Sequence, residues 1–415
     1  MITSIHIENF KSIQSLDLEL GRLNVFIGAN GSGKSNILEA IAMGSAAMED
    51  KLDDEFLVHR GVRVTAARMM KSGFDIKEQE NPIQIIWSNE FITYGQKLTV
   101  LSAYFSEWEI DGNIENLTGV FDENIIGEIQ DEVEEYRTLL GNTSTKKSSQ
   151  AKAFFDSIKN SLDNAMSKDF YYHSKLGKYE KQFVESAILK RKNKNEFLNF
   201  LIYAPENHFL RRFEEEAAIK PLGIKGEGLF KLITIIAQEY PDQFNEIKQH
   251  LKLIDWFEDF EIPGDLKFTE RRIKIKDQYL ADDLQYFDQR SANEGFLYLL
   301  FYLTLFVSDL TPHFFAIDNI DNALNPKLGS ELIKVLSKLS KEHNKQALLT
   351  THNPVILDGL DLNDDDQRLF VVYRNADGHT KVRRIPPRKP VNGIEPVRLS
   401  EAFIRGYIGG IPDNF

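Results

Sequence analysis

Cysteine is absent from this 415-residue chain. Disulfides and thiolate chemistry are therefore excluded, and the composition fits a cytoplasmic protein. No run of about 18 apolar residues occurs, so no transmembrane helix is expected. The N-terminal Met1-Ile2-Thr3-Ser4-Ile5 carries no basic segment and no cleavage site, and it alternates like a first strand, unlike a signal peptide. Positive charge is in deficit. Fifty Lys and Arg face 63 Asp and Glu, a net charge of −13. That balance argues against a surface uniformly coated for nucleic acid.

The charge is uneven, however. Glu107 to Glu135 is strongly acidic, with Glu128, Asp131, Glu132, Glu134 and Glu135 close together. Lys146 to Lys194 is basic and ends in Lys190-Arg191-Lys192-Asn193-Lys194. Such runs are solvated helical surfaces or docking and nucleic-acid surfaces, and composition alone does not choose between them.

Along the chain, "SIHIENF" and "SLDLEL" alternate as two strands, and "LNVFIG" is a short buried strand. A glycine loop follows, then the amphipathic helix "KSNILEAIAMG". A β-rich stretch covers Asn81 to Ile110, and a polar, helical pattern covers Asn113 to Asn199, with a break at Gly141-Asn142-Thr143-Ser144-Thr145. "FLIYAPE" returns to strand, "GEGLFKLITIIAQEY" to helix, and "LKFTERRIKIKDQYL" alternates as a hairpin. The last third reads helix (Gly295–Val307), buried strand (Phe314–Ile317), helix (Pro326–Glu342), strand (Ala347–Thr350) and the edge hairpin "RLFVVYRNADGHTKVRRI". No internal repeat is visible.

Gly28-Ala29-Asn30-Gly31-Ser32-Gly33-Lys34-Ser35 is a complete G-x-x-x-x-G-K-S, placed after an apolar strand and before a helix. Glycines let successive backbone amides point at phosphate oxygens, and the helix N-terminus adds its dipole. Lys34 is placed to reach β- and γ-phosphates and Ser35 to ligate Mg²⁺. Asn36 follows within the same turn, and Lys11, in the turn after the first strand, is a further candidate for nucleotide contact. In "HFFAIDNID" an apolar strand delivers Asp318 to its C-terminal end, where nucleotide sites of α/β sheets lie, so Asp318 is the second metal-holding candidate.

Asn319 stands where a catalytic carboxylate would follow that Asp. An amide cannot act as general base but can position water. Asp321 is the nearest other carboxylate. His352, in "LLTTHNP", lies 34 residues after Asp318 with a helix and a strand between. "SANEGFLYLL" places Asn293, Glu294 and Gly295 at the opening of a helix, where Asn293 reads either as a phosphate contact or as a simple N-cap. A phosphate loop near the start and an acid-ended strand near the end must meet in one site. The middle of the chain is therefore an insertion: an N-terminal lobe 1–112, a helical insertion 113–199 and a C-terminal lobe 200–415.

These motifs in this order, with the N-terminal "IHIENFKSI", resemble the SMC/RecF-like ABC ATPases over Met1–Ala47 and from Tyr203 to the C-terminus. More narrowly, "YAPEN", "PLGIKGEGLFKLI", "FAIDNIDNALNPKL", "TTHNPVILDGLDL" and "AFIRGYIGGIP" look like stand-alone AAA ATPases of bacterial anti-phage defence. The ATPase of the Septu system is the nearest match, and that of the PARIS system comes second. The resemblance implies an α/β ABC-type head, with a mixed sheet, flanking helices and an antiparallel β subdomain. The insertion replaces a long coiled coil. ATP and Mg²⁺ are the implied cofactors.

By the same resemblance, Gly28, Asn30, Gly31, Ser32, Gly33, Lys34 and Ser35 bind nucleotide, Asp318, Asn319, Asp321 and His352 act on it, and Asn293–Gly295 cap the γ-phosphate of a second protomer. A homodimer or higher homo-oligomer and an HNH nuclease partner follow. DNA clamping of the RecF kind is the alternative. The chain has no H-N-H cluster and no second acidic metal cluster, and it leaves no room after the His352 block for a Toprim nuclease, so cleavage would belong to the partner. Gln84 in "PIQIIW" is a candidate for the family's glutamine loop, with a cross-strand surface residue as the plainer reading.

Overall fold

The computed structural model describes residues 1–74, 77–90, 92–101, 107–117, 199–212, 221–263, 272–281, 286–387 and 397–410, together with 131, 133 and 156. Most of the 113–199 insertion lies outside these residues. So do its break at 141–145 and the basic run ending at Lys194.

Strands β1 (Ile2–Phe10) and β2 (Ile13–Glu19) form a hairpin, and β3 (Leu23–Ile27) leads into the phosphate loop and helix α1 (Lys34–Ala47). Two short helices, α2 (Asp54–His59) and α3 (Ala67–Met70), precede β4 (Ile83–Asn89), β5 (Ile92–Val100) and β6 (Trp108–Leu117). These strands complete an antiparallel sheet in the order β2-β1-β4-β5-β6. β6 runs on to Leu117, so the sheet extends into the start of the segment read as insertion.

The second half supplies β7 (Ile202–Tyr203), α4 (Asn207–Arg211), α5 (Leu229–Glu239), α6 (Pro241–Leu251), β8 (Phe257–Glu261), β9 (Lys274–Asp277) and β10 (Phe287–Asp288). Then follow α7 (Glu294–Val307), β11 (Phe314–Ile317), α8 (Pro326–Glu342), β12 (Gln346–Thr351), β13 (Gln367–Arg374), β14 (Thr380–Ile385) and α9 (Leu399–Ile404).

The central sheet runs β14-β13-β3-β12-β11-β7, all parallel except β14. Parallel strands buried on both faces read as unbroken apolar runs, which is why "LNVFI" and "FFAI" show no polar alternation. Their two sides nevertheless separate. Phe314 and Ala316 join the core under α1 and the antiparallel sheet, while Phe315 and Ile317 join the core under α5 to α8. Helix α7 is buried from Phe296 to Val307, as its nearly all-apolar sequence requires. Helix α8 is amphipathic, with Leu332, Ile333, Leu336 and Leu339 inward and Lys334, Lys338 and Lys341 outward.

Three local expectations change. The "LKFTERRIKIKDQYL" segment does not close on itself among the described residues. Its strand β9 pairs with Phe257–Glu261 on one side and Phe287–Asp288 on the other. "FLIYAPE" yields only the two-residue β7, because the chain needs just enough strand to cover the edge of β11. In the C-terminal hairpin only β14 is an edge strand, since β13 pairs in parallel with β3.

Candidate nucleotide site

The parallel register brings three strand ends together. Ile317 lies opposite Leu349, and Thr351 opposite Ile27. The residues just beyond these strands therefore emerge at one edge of the sheet. Gly28 follows β3, Asp318 follows β11, and Thr350, Thr351 and His352 end β12.

The loop between β3 and α1 turns on glycines at positive φ, 74° at Gly31 and 108° at Gly33. A side chain at Gly33 would meet the Thr380 hydroxyl at 2.0 Å, and one at Gly28 the Val372 carbonyl oxygen at 2.1 Å. Only bare backbone fits there.

The Lys34 ammonium donates to Gly28 O at 2.8 Å and Ala29 O at 3.1 Å, and lies 3.5 Å from His352 Nδ1. An ammonium only donates, so the His352 ring accepts on Nδ1 and carries its proton on Nε2. Burial pulls Lys34 down to about 8, against the pull of Asp318 and Asp321. Burial, helped by the neighbouring Lys34 charge, also lowers His352, which is therefore neutral near pH 7.

Ser35 Oγ donates to Asp318 Oδ2 at 3.1 Å, and the Thr350 hydroxyl donates to the other Asp318 oxygen. Thr350 Oγ1 in turn accepts from the Asn319 amide at 2.9 Å. Asn319 takes a φ of 57°, a left-handed conformation that asparagine tolerates better than most residues. Thr351 Oγ1 donates to Asp321 Oδ1 at 2.7 Å. The sequence readings of Lys34, Ser35, Asp318, Asn319, Asp321 and His352 thus converge on one cluster.

Beside the loop lies a second layer that the motifs did not disclose. Glu39, on α1, is buried, and Lys11 donates to it at 2.6 Å while Arg63 donates to its other oxygen. Arg63 also reaches Asn36 Oδ1 at 3.2 Å. Asn36 Nδ2 donates to Ser12 Oγ at 2.7 Å, Ser12 lies 2.7 Å from Thr380 Oγ1, and Thr380 donates to Ser32 O at 2.9 Å. Each hydroxyl has one proton, so the chain runs in one direction from Asn36 through Ser12 and Thr380 to the loop carbonyl. Lys11, Ser12, Asn36, Arg63, Met69, Phe74 and their neighbours line a cleft of about 760 Å³. Arg374 closes it by donating to Gly31 O at 2.8 Å.

The Asn293–Gly295 group is not part of this cluster. Asn293 Oδ1 caps α7 by accepting from the Phe296 amide at 2.8 Å, which leaves its amide group to donate elsewhere. Glu294 accepts from Asn207 at 2.6 Å, and both Asn293 and Glu294 are exposed. Gly295 packs against the loop after Asp321, where an added Cβ would lie 3.3 Å from Ala323 O. Gln84 sits within β4 opposite Glu8 and Lys97, as a cross-strand residue.

The site suits a magnesium nucleotide. The Ser32 hydroxyl is buried without a hydrogen-bond partner, and the Lys34 ammonium is folded back on its own loop. Both are groups a phosphate would satisfy. A hydroxyl and a carboxylate side by side, Ser35 and Asp318, suit a hard divalent cation. Among the described residues no group of three or more His, Asp or Glu offers a separate metal cage.

Strand order, phosphate loop and acid-ended strand together define a P-loop ATPase of the ABC, SMC-head type. A family model described as "AAA domain, putative AbiEii toxin, Type IV TA system" matches residues 23–358, and the chain belongs to that family. Among solved structures, the Smc head bound to the C-winged helix domain of ScpA shares the fold, with a TM-score of 0.50 at 14% identity over 93% of this chain and 97% of that one. The Smc head of Pyrococcus furiosus, with an extended coiled coil and bound to the C-terminal domain of ScpA, gives a TM-score of 0.49 at 13% identity over 98% and 99% of the two chains. An uncharacterized protein of Methanocaldococcus jannaschii is 45% identical over 67 residues, 15% of this chain and 31% of its own length. The chain thus matches about a third of the length of that curated relative.

Proposed function

We propose that this protein binds ATP with Mg²⁺ at Gly28–Ser35, hydrolyses it slowly, and uses the bound state to bring two heads together. The observation that carries this reading is the Ser35–Asp318 hydrogen bond within reach of Lys34 and His352. Ser35 and Asp318 would hold the metal, Lys34 the distal phosphates, and Asn30, Gly31, Ser32 and Gly33 the phosphate oxygens through backbone and hydroxyl donors. Lys11, Asn36 and the Arg63 side of the cleft would face the rest of the nucleotide. His352, neutral and with its proton on Nε2, can donate to a phosphate oxygen. No carboxylate follows Asp318, so Asn319 and Asp321 are left to orient the attacking water, and turnover is expected to fall well below the enzymatic median of about 10 per second.

The exposed Asn293–Gly295 turn of one head would complete the site of another. ATP then contributes binding free energy only in the closed pair, which makes it a switch for assembly. A homodimer or larger homo-oligomer in the cytoplasm, holding a partner nuclease of HNH type in anti-phage defence as the Septu ATPase does, is the biological setting we infer. The solved Smc heads of similar fold are themselves bound to a protein, ScpA, which supports a head that carries partners. The test is co-purification from the native host. A nuclease retained with wild-type chain and lost with Lys34→Ala supports the reading; no nuclease in either case defeats it.

One observation favours the alternative of DNA clamping. The 760 Å³ cleft is rimmed by Lys11, Arg63, Arg68, Lys71 and Arg374. Glu39 neutralises part of that charge, which weakens the case. Duplex binding that depends steeply on salt and requires ATP would favour it over the nuclease scaffold.

A further inference from the structure

A second cleft, about 590 Å³, opens on the other side of the phosphate loop. Its walls are Ala29 to Ser32, the end of β13 from Val371 to Arg374, Arg383 of β14, and Gly409 and Gly410 of the C-terminal segment. The segment is fastened there. Arg383 donates to the Ile408 carbonyl, and Gly410 lies so close to β13 that a Cβ would stand 2.5 Å from Val371. Gly409 and Gly410 hold φ of 69° and 84°, values that let the chain turn against the sheet. At its other end the segment is clipped to the stretch after His352, where Ser400 donates to Asp358 through both its hydroxyl, at 2.7 Å, and its amide, at 3.0 Å.

The rim of this cleft is basic and aromatic on a chain that is acidic overall. Tyr373, Arg374 and Arg383 are all exposed, and so are Asn30 and Gly31 of the loop. Exposed Tyr and Arg at the mouth of a pocket are the side chains that most often anchor protein interfaces. The exposed turn that opens α7 has the opposite sign. Glu206 beside it is balanced by Lys225 at 3.0 Å, whereas Glu294 has an amide, Asn207, as its partner. Glu294 is therefore a carboxylate with its charge uncompensated by that contact.

We propose that this cleft receives the Asn293–Glu294 turn of a second copy of the chain, with Glu294 seated against Arg383 and Arg374. The proposal rests on the head-to-head reading above and specifies the receptor. A two-fold contact repeats every pair, so each closed dimer contains the Glu294–Arg383 pair twice. The C-terminal segment, which builds one wall and is tied through Asp358 to the stretch following His352, then belongs to the closing surface.

The experiment uses the full chain with ATP and Mg²⁺. Since the protein has no cysteine, Lys252→Cys provides one labelling point on an exposed surface, and closure is followed as the distance between labelled heads. Arg383→Glu and Glu294→Arg should each weaken ATP-induced closure by about tenfold or more. The double variant should return to within about threefold of wild type. Additive losses in the double variant, with wild type closing normally, overturn this contact while leaving the dimer intact. Heads that never respond to ATP in the wild type overturn the head-to-head reading and this proposal with it. An unchanged unfolding temperature certifies each variant's fold. If Arg383→Glu loosens the C-terminal segment, Glu294→Gln alone decides the matter. Weakened closure that no longer responds to salt supports the pair, and unchanged closure overturns it.

Discussion

Ser35 Oγ lies 3.1 Å from Asp318 Oδ2, although 283 residues separate the two in the chain. Ser35 opens helix α1 and Asp318 ends strand β11, two strands away in the central sheet. The bond exists because β3, β12 and β11 are parallel and in register, so that their carboxyl ends coincide. It is the point at which the phosphate loop and the acidic strand become one site.

Replacing Lys34 by Ala should remove most ATP affinity, by more than about tenfold, because the ammonium is the main cation within reach of the loop. Isothermal titration of the purified chain would measure it. A change smaller than about threefold, roughly 0.7 kcal/mol, would argue against the site.

Nucleotide binding should weaken as the pH rises above 8. Burial holds Lys34 at about 8 in the free protein, so at higher pH the ammonium is increasingly deprotonated and must recover its proton to meet a phosphate. Affinity should fall by about tenfold between pH 7 and pH 9, with proton uptake on binding. For the nucleotide-free protein the sign is opposite. The folded value lies below the usual 10.5, so the unfolded chain binds more protons, and stability rises as the pH climbs from 8 toward 10.5. Calorimetry at pH 9 in two buffers of different ionisation enthalpy would detect the uptake, and equal heats in both would refute it.

Asn319→Glu should raise turnover if a missing general base is what slows hydrolysis. The same change places glutamate at a φ of 57°, at a cost of about 1 kcal/mol of stability, because longer side chains tolerate that conformation less well than asparagine. Steady-state phosphate release and thermal unfolding separate the two effects. A wild-type rate already near the median of about 10 per second would mean that Asp321 or another group supplies the base.

Thr380→Val keeps the shape of the side chain but cuts the chain of hydrogen bonds in its middle. The Ser32 carbonyl and the Ser12 hydroxyl would both lose a partner in a buried setting. The expected loss is about 1–3 kcal/mol of unfolding free energy, accompanied by weaker nucleotide binding as the loop loosens. Urea unfolding measures the first and titration the second. Stability unchanged together with wild-type affinity would show that the network is idle.

Much of this architecture was legible in the residues. Strand β11 and helix α8 begin and end where apolar runs, Asn325 and Pro326 place them, because capping and proline chemistry are local. The phosphate loop, Asp318 and His352 were found by spacing, since backbone approach to phosphate demands glycine and a strand end demands a short polar exit. Asn293 as an N-cap was one of two readings, and its side-chain oxygen does cap α7.

The rest was decided by contacts between residues far apart in the sequence. Nothing local to Glu39 announces a carboxylate buried in α1, because its partners Lys11 and Arg63 arrive from β1's turn and from the loop before α3. Thr380 looks like an ordinary edge-strand threonine until β14 lays it against Gly33, where its hydroxyl occupies the space a side chain would need. Arg374 and Gly410 reach the phosphate loop only once β13 has paired with β3. The sequence by itself determined which residues would line the ends of the strands. Which of them touch, and which carboxylates are balanced by which cations, follows from the order of strands in the sheet. That order minimises exposed apolar surface over the whole chain and is written in no single segment of it.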